Sequence, residues 1–210
     1  MEQIIWIEPY ALDRKIGVEY NRIISYLPDH CWIGITDHDM CFLHPEQKKW
    51  IAEIVGNGDC ELYGCMTNRL YGTWQAPFRG CNGLPNMYDE QNYLRHKEFA
   101  MEIREQYGNE VEHTEEVIAG FLMVFNKDTW ERVGRFNEKV IWFDSCFSKV
   151  VPSKGIMRGI YVFHDYRMPL QAEEACRYHK HLYRDLWKEL DLKVISEYHN
   201  KDENNGNKNA

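Results

Sequence analysis

The run Ile33-Gly34-Ile35-Thr36-Asp37-His38-Asp39-Met40-Cys41-Phe42-Leu43 constrains the fold most, because an apolar, strand-like stretch ends there by presenting two carboxylates two residues apart. In an extended backbone, side chains at i and i+2 leave on one face, so Asp37 and Asp39 are set to converge on one cation at the strand's C-terminal end. Open α/β sheets place their ligands at that end. Two acids at the mouth of a buried strand repel each other and lose solvation, a cost that a metal ion or a fixed set of donors offsets. The alternative is a solvated β-turn carrying two surface acids, since a bare D-x-D also arises by chance in a chain this rich in Asp.

Apolar runs bounded by turn residues predict strands near 3–8, 31–36, 60–66, 118–125 and 157–163. Helical periodicity appears near 17–27, 45–55, 90–107, 127–133, 143–150 and 172–190, the last with Tyr178, Leu182, Leu186 and Leu190 at steps of four. Strands and helices mostly alternate, which predicts an α/β fold with a largely parallel central sheet flanked by helices. The 210 residues suit one domain, expected over 1–195. A polar tail, 196–210, ends in a run with nothing apolar to bury and is expected to be disordered. Between Thr67 and Glu90 lies a segment rich in Gly, Pro, Asn and aromatics, longer than ordinary connections require and therefore expected to be a functional surface loop.

The net charge of -8 and the scattered basic residues argue against nucleic acid or anionic lipid as partners. The apolar runs are too short for a membrane span, and Met1-Glu2-Gln3-Ile4-Ile5-Trp6 lacks the pattern of a secretory leader, so a cytoplasmic location is expected. Seven cysteines, odd in number and without C-x-x-C spacing, read as reduced thiols rather than a disulfide framework or zinc knuckle.

Several further stretches follow in a telling order. Ile4-Ile5-Trp6-Ile7-Glu8-Pro9-Tyr10 and Ile16-Gly17-Val18-Glu19-Tyr20-Asn21 precede Asp37-His38-Asp39. Gly120-Phe121-Leu122-Met123-Val124-Phe125, Trp130-Glu131-Arg132-Val133-Gly134-Arg135-Phe136-Asn137-Glu138, Phe143-Asp144-Ser145 and Tyr161-Val162-Phe163-His164-Asp165-Tyr166-Arg167 come after it. In this order they resemble a compact family 2 glycosyltransferase with the GT-A fold, over roughly residues 3 to 168. The resemblance implies a hexosyltransferase-like enzyme that uses a nucleotide-sugar donor, a UDP-sugar first, and a carbohydrate or other hydroxyl acceptor. Two departures stand out. Barely twenty-five residues separate Tyr10 from Asp37, so the nucleotide-binding half is abbreviated, and Phe143-Asp144 stands where the family commonly shows Glu-Asp.

The chemistry of such a transfer assigns roles to these residues. A divalent cation, Mn2+ or Mg2+, stabilises the charge that builds on a departing diphosphate. Asp37, Asp39 and His164 are the expected ligands, Asp37 having the ribose as its other target, and an imidazole beside carboxylates favours manganese. His164 also reads as a strand-end histidine bonded to a carbonyl. The acceptor hydroxyl must lose a proton, which calls for a carboxylate base. The resemblance gives that role to Asp144, with inversion at the anomeric carbon, while a helix N-cap is the ordinary use of an Asp at that place. Trp142 and Phe143 offer an apolar face for a sugar ring. Pro9, Tyr10, Asp13, Lys15 and Asn21 are the expected nucleotide contacts or their supports, and Arg14 is a further cation that, with these residues, also suits a polar turn. Gly120 gives the donor room to approach the backbone or simply eases packing. Arg69 and Trp74 form an expected acceptor or sugar lip, Arg69 alternatively pairing with an acid, and Arg167 is set to reach the diphosphate or to form a surface salt bridge. The competing functions are a non-catalytic or degenerate carbohydrate-binding protein and, from a third class, a metal-dependent nucleotidyltransferase, which should show a denser carboxylate cluster or a glycine-rich phosphate loop.

Overall fold

A computed structural model describes residues 3–9, 11, 15–70, 74–76, 85, 87–88, 90–140 and 142–165. These belong to one unit, Met1–Tyr166. The predicted helix 172–190, the domain end at 195, the tail 196–210 and much of the 67–90 segment lie outside the described residues.

The chain runs β1 (Ile4–Ile7), α1 (Ile16–Ser25), β2 (Trp32–Thr36), β3 (Met40–Cys41), α2 (Gln47–Asn57), β4 (Leu62–Thr67), α3 (Tyr93–Tyr107), β5 (Val111–His113), β6 (Leu122–Asn126), α4 (Lys127–Arg132), α5 (Phe143–Val150) and β7 (Lys154–His164). The strands make one sheet in the order β1-β2-β6-β4-β7-β3, with β5 also on β7. The long β7 gives β5 its first residues and β3 its last two.

The α/β expectation holds, but the sheet is mixed rather than largely parallel. β1 and β2 pair in parallel, as do β4 and β7, whereas β6 runs against both β2 and β4, and β3 and β5 run against β7. The reason lies between β6 and α5. Asn126, at the end of β6, pairs with Trp32 at the start of β2, yet Asp144 at the start of α5 bonds Gly120 just before β6. The chain therefore returns the length of the sheet between β6 and α5, and the described residues there form no strand. Alternating apolar periodicity carries no record of that extra pass.

Side chains alternate across the sheet with a period of two. Ile33, Ile35, Met123 and Phe125 face a layer containing Tyr20 and Ile24 of α1, Phe99 of α3 and Phe147 of α5. Tyr63, Cys65, Leu122 and Val124 face Ile51, Ile54 and Val55 of α2. Each such large side chain contributes about 2 kcal/mol on burial. Among the helix starts, Asn92 caps α3 through the Leu94 amide at 3.0 Å, and Asn126 caps α4 through the Asp128 amide at 2.8 Å.

Two buried amides fix the sheet's C-terminal end. Gln47 Oε1 accepts from the Leu43 and His44 amides at 2.6 and 3.1 Å while its Nε2 donates to the Tyr161 carbonyl at 2.7 Å, binding the stretch after the acidic motif to β7. Asn21 Nδ2 donates to the Phe136 carbonyl and to Glu138 Oε1, both at 2.9 Å, and its Oδ1 accepts from Trp130 Nε1 and the Phe136 amide. That clamp holds the returning segment against α1. Among the described residues no helix is long and apolar enough to cross a membrane.

Candidate functional site

β2 ends at Thr36 and the chain turns at once. The Met40 amide donates to the Asp37 carbonyl at 3.2 Å, which closes a β-turn over residues 37–40. The Asp37 amide donates to the Phe121 carbonyl at 3.1 Å and the Asp165 amide to the Asp39 carbonyl at 2.8 Å, so the backbone flanking β6 and β7 fixes both acids. Asp37 and Asp39 converge through this turn, not along an extended pleat. The turn of the bland alternative is therefore present, but its acids face inward.

They face His164, the buried last residue of β7. Its Nε2 lies 3.3 Å from Asp39 Oδ1 and 3.9 Å from Asp37 Oδ2, and the three ligand atoms sit within 4.8 Å of one another. Its Nδ1 is 3.0 Å from the Arg69 carbonyl. A carbonyl only accepts, so Nδ1 carries a hydrogen, and Nε2 is left facing two carboxylates. That arrangement suits a cation set between the ring and the two acids, and the hydrogen bond between His164 and Asp39 holds the Asp39 carboxyl below its ordinary range. The carbonyl bond expected of a plain strand-end histidine is thus the same bond that orients the ring for coordination. Phe121 stacks on the imidazole at 5.3 Å, and the Asn68 Oδ1 accepts the His164 amide at 2.8 Å.

Asp144 stands across from this cluster. Its Oδ2 accepts from the Gly120 amide at 2.8 Å, and burial pushes its carboxyl above the ordinary range against the pull of the Ser145 and Gly120 amides. The N-cap of α5 is Trp142, without a side-chain bond, so Asp144 lies inside the first turn rather than at the cap. A Cβ on Gly120 would stand 2.7 Å from Asp144 Oδ2. The space the glycine leaves is filled by that carboxylate.

These groups share a cavity of about 620 Å³ lined also by Glu8, Pro9, Ile16, Tyr20, His38 and Phe143, within the range of about 300–1,000 Å³ that small-molecule sites occupy. The Asp37 side chain is 49 % exposed at its mouth. Desolvation, with Asp144 and Asp39 nearby, nonetheless lifts its carboxyl to about 6 even though His164 pulls it down. Tyr20 donates to the Thr36 carbonyl at 3.3 Å, and burial together with Asp37, Glu8 and Asp144 pushes its phenol well above the ordinary value.

Of the residues expected from sequence, Asp37, Asp39, His164, Asp144, Gly120, Pro9 and Phe143 meet in this cavity. Phe143 is largely core, packed on Tyr20 and Phe136 with ring centroids 5.3 and 5.0 Å apart. Asn21 does not line the cavity; its amide is committed to the clamp. Lys15, at the start of α1, and Trp142 are not among the lining residues either. Arg69 is buried and is not among the residues lining the cavity; its Nε donates to the Tyr88 carbonyl at 2.6 Å, its guanidinium lies 4.6 Å from the Tyr88 ring, and its carbonyl faces His164 Nδ1. Trp74 donates to the Val117 carbonyl at 2.6 Å and, partly buried, packs against the core. Tyr10, Asp13, Arg14 and Arg167 lie outside the described residues.

Glu8, Tyr20, Thr36 and His38 were not singled out from the sequence. Glu8 carries the same signal as Asp37: an acid directly after an apolar run, on a strand whose Ile7 pairs with Ile35. Comparison with protein-family models, curated proteins and solved structures gives no match.

Proposed function

We propose that the chain is a metal-dependent glycosyltransferase, which moves a sugar from a nucleoside-diphosphate sugar to an acceptor hydroxyl with inversion. The observation that carries this reading is the meeting of Asp37, Asp39 and His164 with Asp144 in one cavity at the end of the sheet. The donor set fits a divalent ion: two carboxylates and an imidazole whose far nitrogen is pinned to the Arg69 carbonyl. That mixture suits manganese, with magnesium as the alternative. When bound, the ion would supply Lewis-acid stabilisation of the charge that develops on the leaving diphosphate.

The chain's own residues do the rest. Asp144 accepts the proton of the attacking hydroxyl at Oδ1, its Oδ2 being held by the Gly120 amide. Its raised affinity for a proton suits a base that works toward neutral pH. Pro9, Ile16 and Phe143 give the cavity apolar walls that exclude water around the reacting centre. The GT-A identity of the fold and the UDP-sugar donor rest on the sequence resemblance together with this convergence.

A metal-dependent nucleotidyl transfer is the second reading, favoured by one observation: Glu8 and Asp144 join Asp37 and Asp39, so four carboxylates line the cavity. Incubation with a panel of nucleoside-diphosphate sugars, with manganese or with EDTA, separates the two by product mass. Cation-dependent release of the nucleoside diphosphate with a hydrolysed or transferred sugar supports the first reading. Release of a sugar phosphate with a transferred nucleotide supports the second, and no cation-dependent turnover of any donor refutes the first.

A further inference from the structure

At the opposite end of the sheet, three side chains that the proposed transferase does not use come together. Asp59 and Cys60 precede β4, and His113 ends β5. Cys60 Sγ lies 3.5 Å from His113 Nδ1 and 3.9 Å from Asp59 Oδ1, while His113 Nε2 lies 3.4 Å from Asp59 Oδ1. One ligand atom from each residue falls within a 4.8 Å set. Ligands at about 2.3 Å for sulfur and 2.0–2.1 Å for nitrogen or oxygen, in a tetrahedral shell, are separated by about 3.3–3.6 Å. Each ring nitrogen of His113 is at about that spacing from one neighbour, Nδ1 from the sulfur and Nε2 from the carboxylate, so a turn of the exposed ring brings one nitrogen into a shell with both.

The surrounding backbone is arranged for the sulfur. His113 pairs with Gly155 across β5 and β7, and a Cβ on Gly155 would stand 2.8 Å from Cys60 Sγ and 2.4 Å from Val111 Cγ1. Only a glycine leaves the thiol its place. The Cys60 amide donates to the Tyr63 hydroxyl at 3.0 Å, the Glu61 and Leu62 amides donate to the Ser153 carbonyl, and the Thr114 amide donates to the Lys154 carbonyl. Three separate segments are thereby locked together around the cluster. Cys60 is buried, whereas the side chains of Asp59 and His113 are 82 % and 61 % exposed, so the sulfur forms a floor and the other two ligands stand at a solvent-open rim.

We propose that Asp59, Cys60 and His113 form a second metal site, one that takes a thiolate-preferring divalent ion such as zinc and keeps an open position toward solvent. A soft sulfur donor with an imidazole selects such ions over magnesium, calcium or manganese, which separates this site chemically from the oxygen-rich cluster at Asp37 and Asp39. Binding forms a sulfur–metal bond and releases the Cys60 proton to solvent; burial first, and then Asp59 beside it, push that thiol above its ordinary value against the pull of Ser153, and the ion's charge would reverse this. Rotation of the exposed imidazole sets which ring nitrogen enters the shell.

Cobalt(II) is the probe, because a thiolate ligand gives it a near-ultraviolet charge-transfer band that oxygen and nitrogen ligands do not. Titration of the full chain should produce this band with saturation, and excess zinc should remove it. Cys60→Ser should abolish the band. His113→Ala, at an exposed position that leaves the fold intact, should weaken cobalt binding by more than about tenfold, the least that even an outer-shell change costs a metal site. Cys41→Ser, which alters the thiol nearest in sequence to Asp39, should leave the band unchanged. Absence of the band in the unaltered chain, its survival in Cys60→Ser, an unweakened His113→Ala, or its loss in Cys41→Ser would each overturn the proposal, whatever the fate of the transferase reading.

Discussion

The two ends of the sheet use similar residue types to opposite effect. At the C-terminal end, Asp37, Asp39 and Asp144 surround a cavity whose imidazole is buried, and the environment spreads their proton affinities apart: Asp39 is held down by His164, while desolvation lifts Asp37 and Asp144. At the N-terminal end, His113 and Asp59 stand in solvent over a buried cysteine. The difference teaches that depth, as well as residue type, sets the chemistry. A recessed cluster can hold one carboxylate ready to accept a proton and another ready to bind a cation, whereas the site proposed at the open rim relies on the sulfur for selectivity.

The sharpest way to break this contrast is to remove the base. Asp144→Asn keeps the shape of the recessed end but should lower kcat by about 10²–10⁴-fold with little change in donor KM; steady-state kinetics on the transferred sugar check it, and full activity would end the assignment. Next in size is the clamp. Asn21→Ala leaves the Trp130 and Phe136 donors unpaired in the interior, which should cost about 3 kcal/mol in urea unfolding, while the donor KM of the folded fraction stays unchanged. A rise in KM without loss of stability would return Asn21 to the nucleotide.

Gly120→Ala should cost about 1–3 kcal/mol by forcing its methyl against the Asp144 carboxylate. In an Asp144→Gly background, which removes the Oδ2, Cβ and Cγ that the methyl would meet, the same change should cost less, and a double-mutant cycle measures the difference. The smallest effect is a pH signature of the recessed end. The folded Asp37 carboxyl is raised to about 6 from 3.8, so the folded state holds a proton that the unfolded chain gives up earlier. Its contribution is fully present below the unfolded value and is lost as pH rises through about 6. Asp37→Asn should therefore raise the Tm of the metal-free protein above pH 6 and leave it unchanged below the unfolded value. An equal shift at all pH values would contradict desolvation of this carboxyl as the cause.

Much of this was legible in the sequence, for identifiable reasons. Apolar runs bounded by turn residues located β2 and β7, because burial on both faces writes itself into residue type; the acids after β2 were visible the same way, whereas His164 joined them through the family resemblance. The helix starts at 127 and 143 were visible for the same reason. Strand direction was not, since the pass through 133–142 adds no apolar period, and β3 and β5, two and three residues long, are too short to show one. Arg69 and Trp74 were singled out by residue type alone; their bonds to the Tyr88 and Val117 carbonyls, 19 and 43 residues away, leave no local signal in the sequence. Cys60 and His113 are 53 residues apart and carry no shared spacing motif, so only the folded chain brings them together.

The central claim is that Asp37, Asp39 and His164 hold a divalent cation, and manganese electron paramagnetic resonance tests it most directly, because the signal of free aqueous ion falls as ion is bound. In titrations of the unaltered chain the account expects one saturable depletion that is absent in Asp39→Ala and in His164→Ala, both checked for folding by circular dichroism. Depletion of the same size and affinity in folded Asp39→Ala, or none in the unaltered chain, would contradict it.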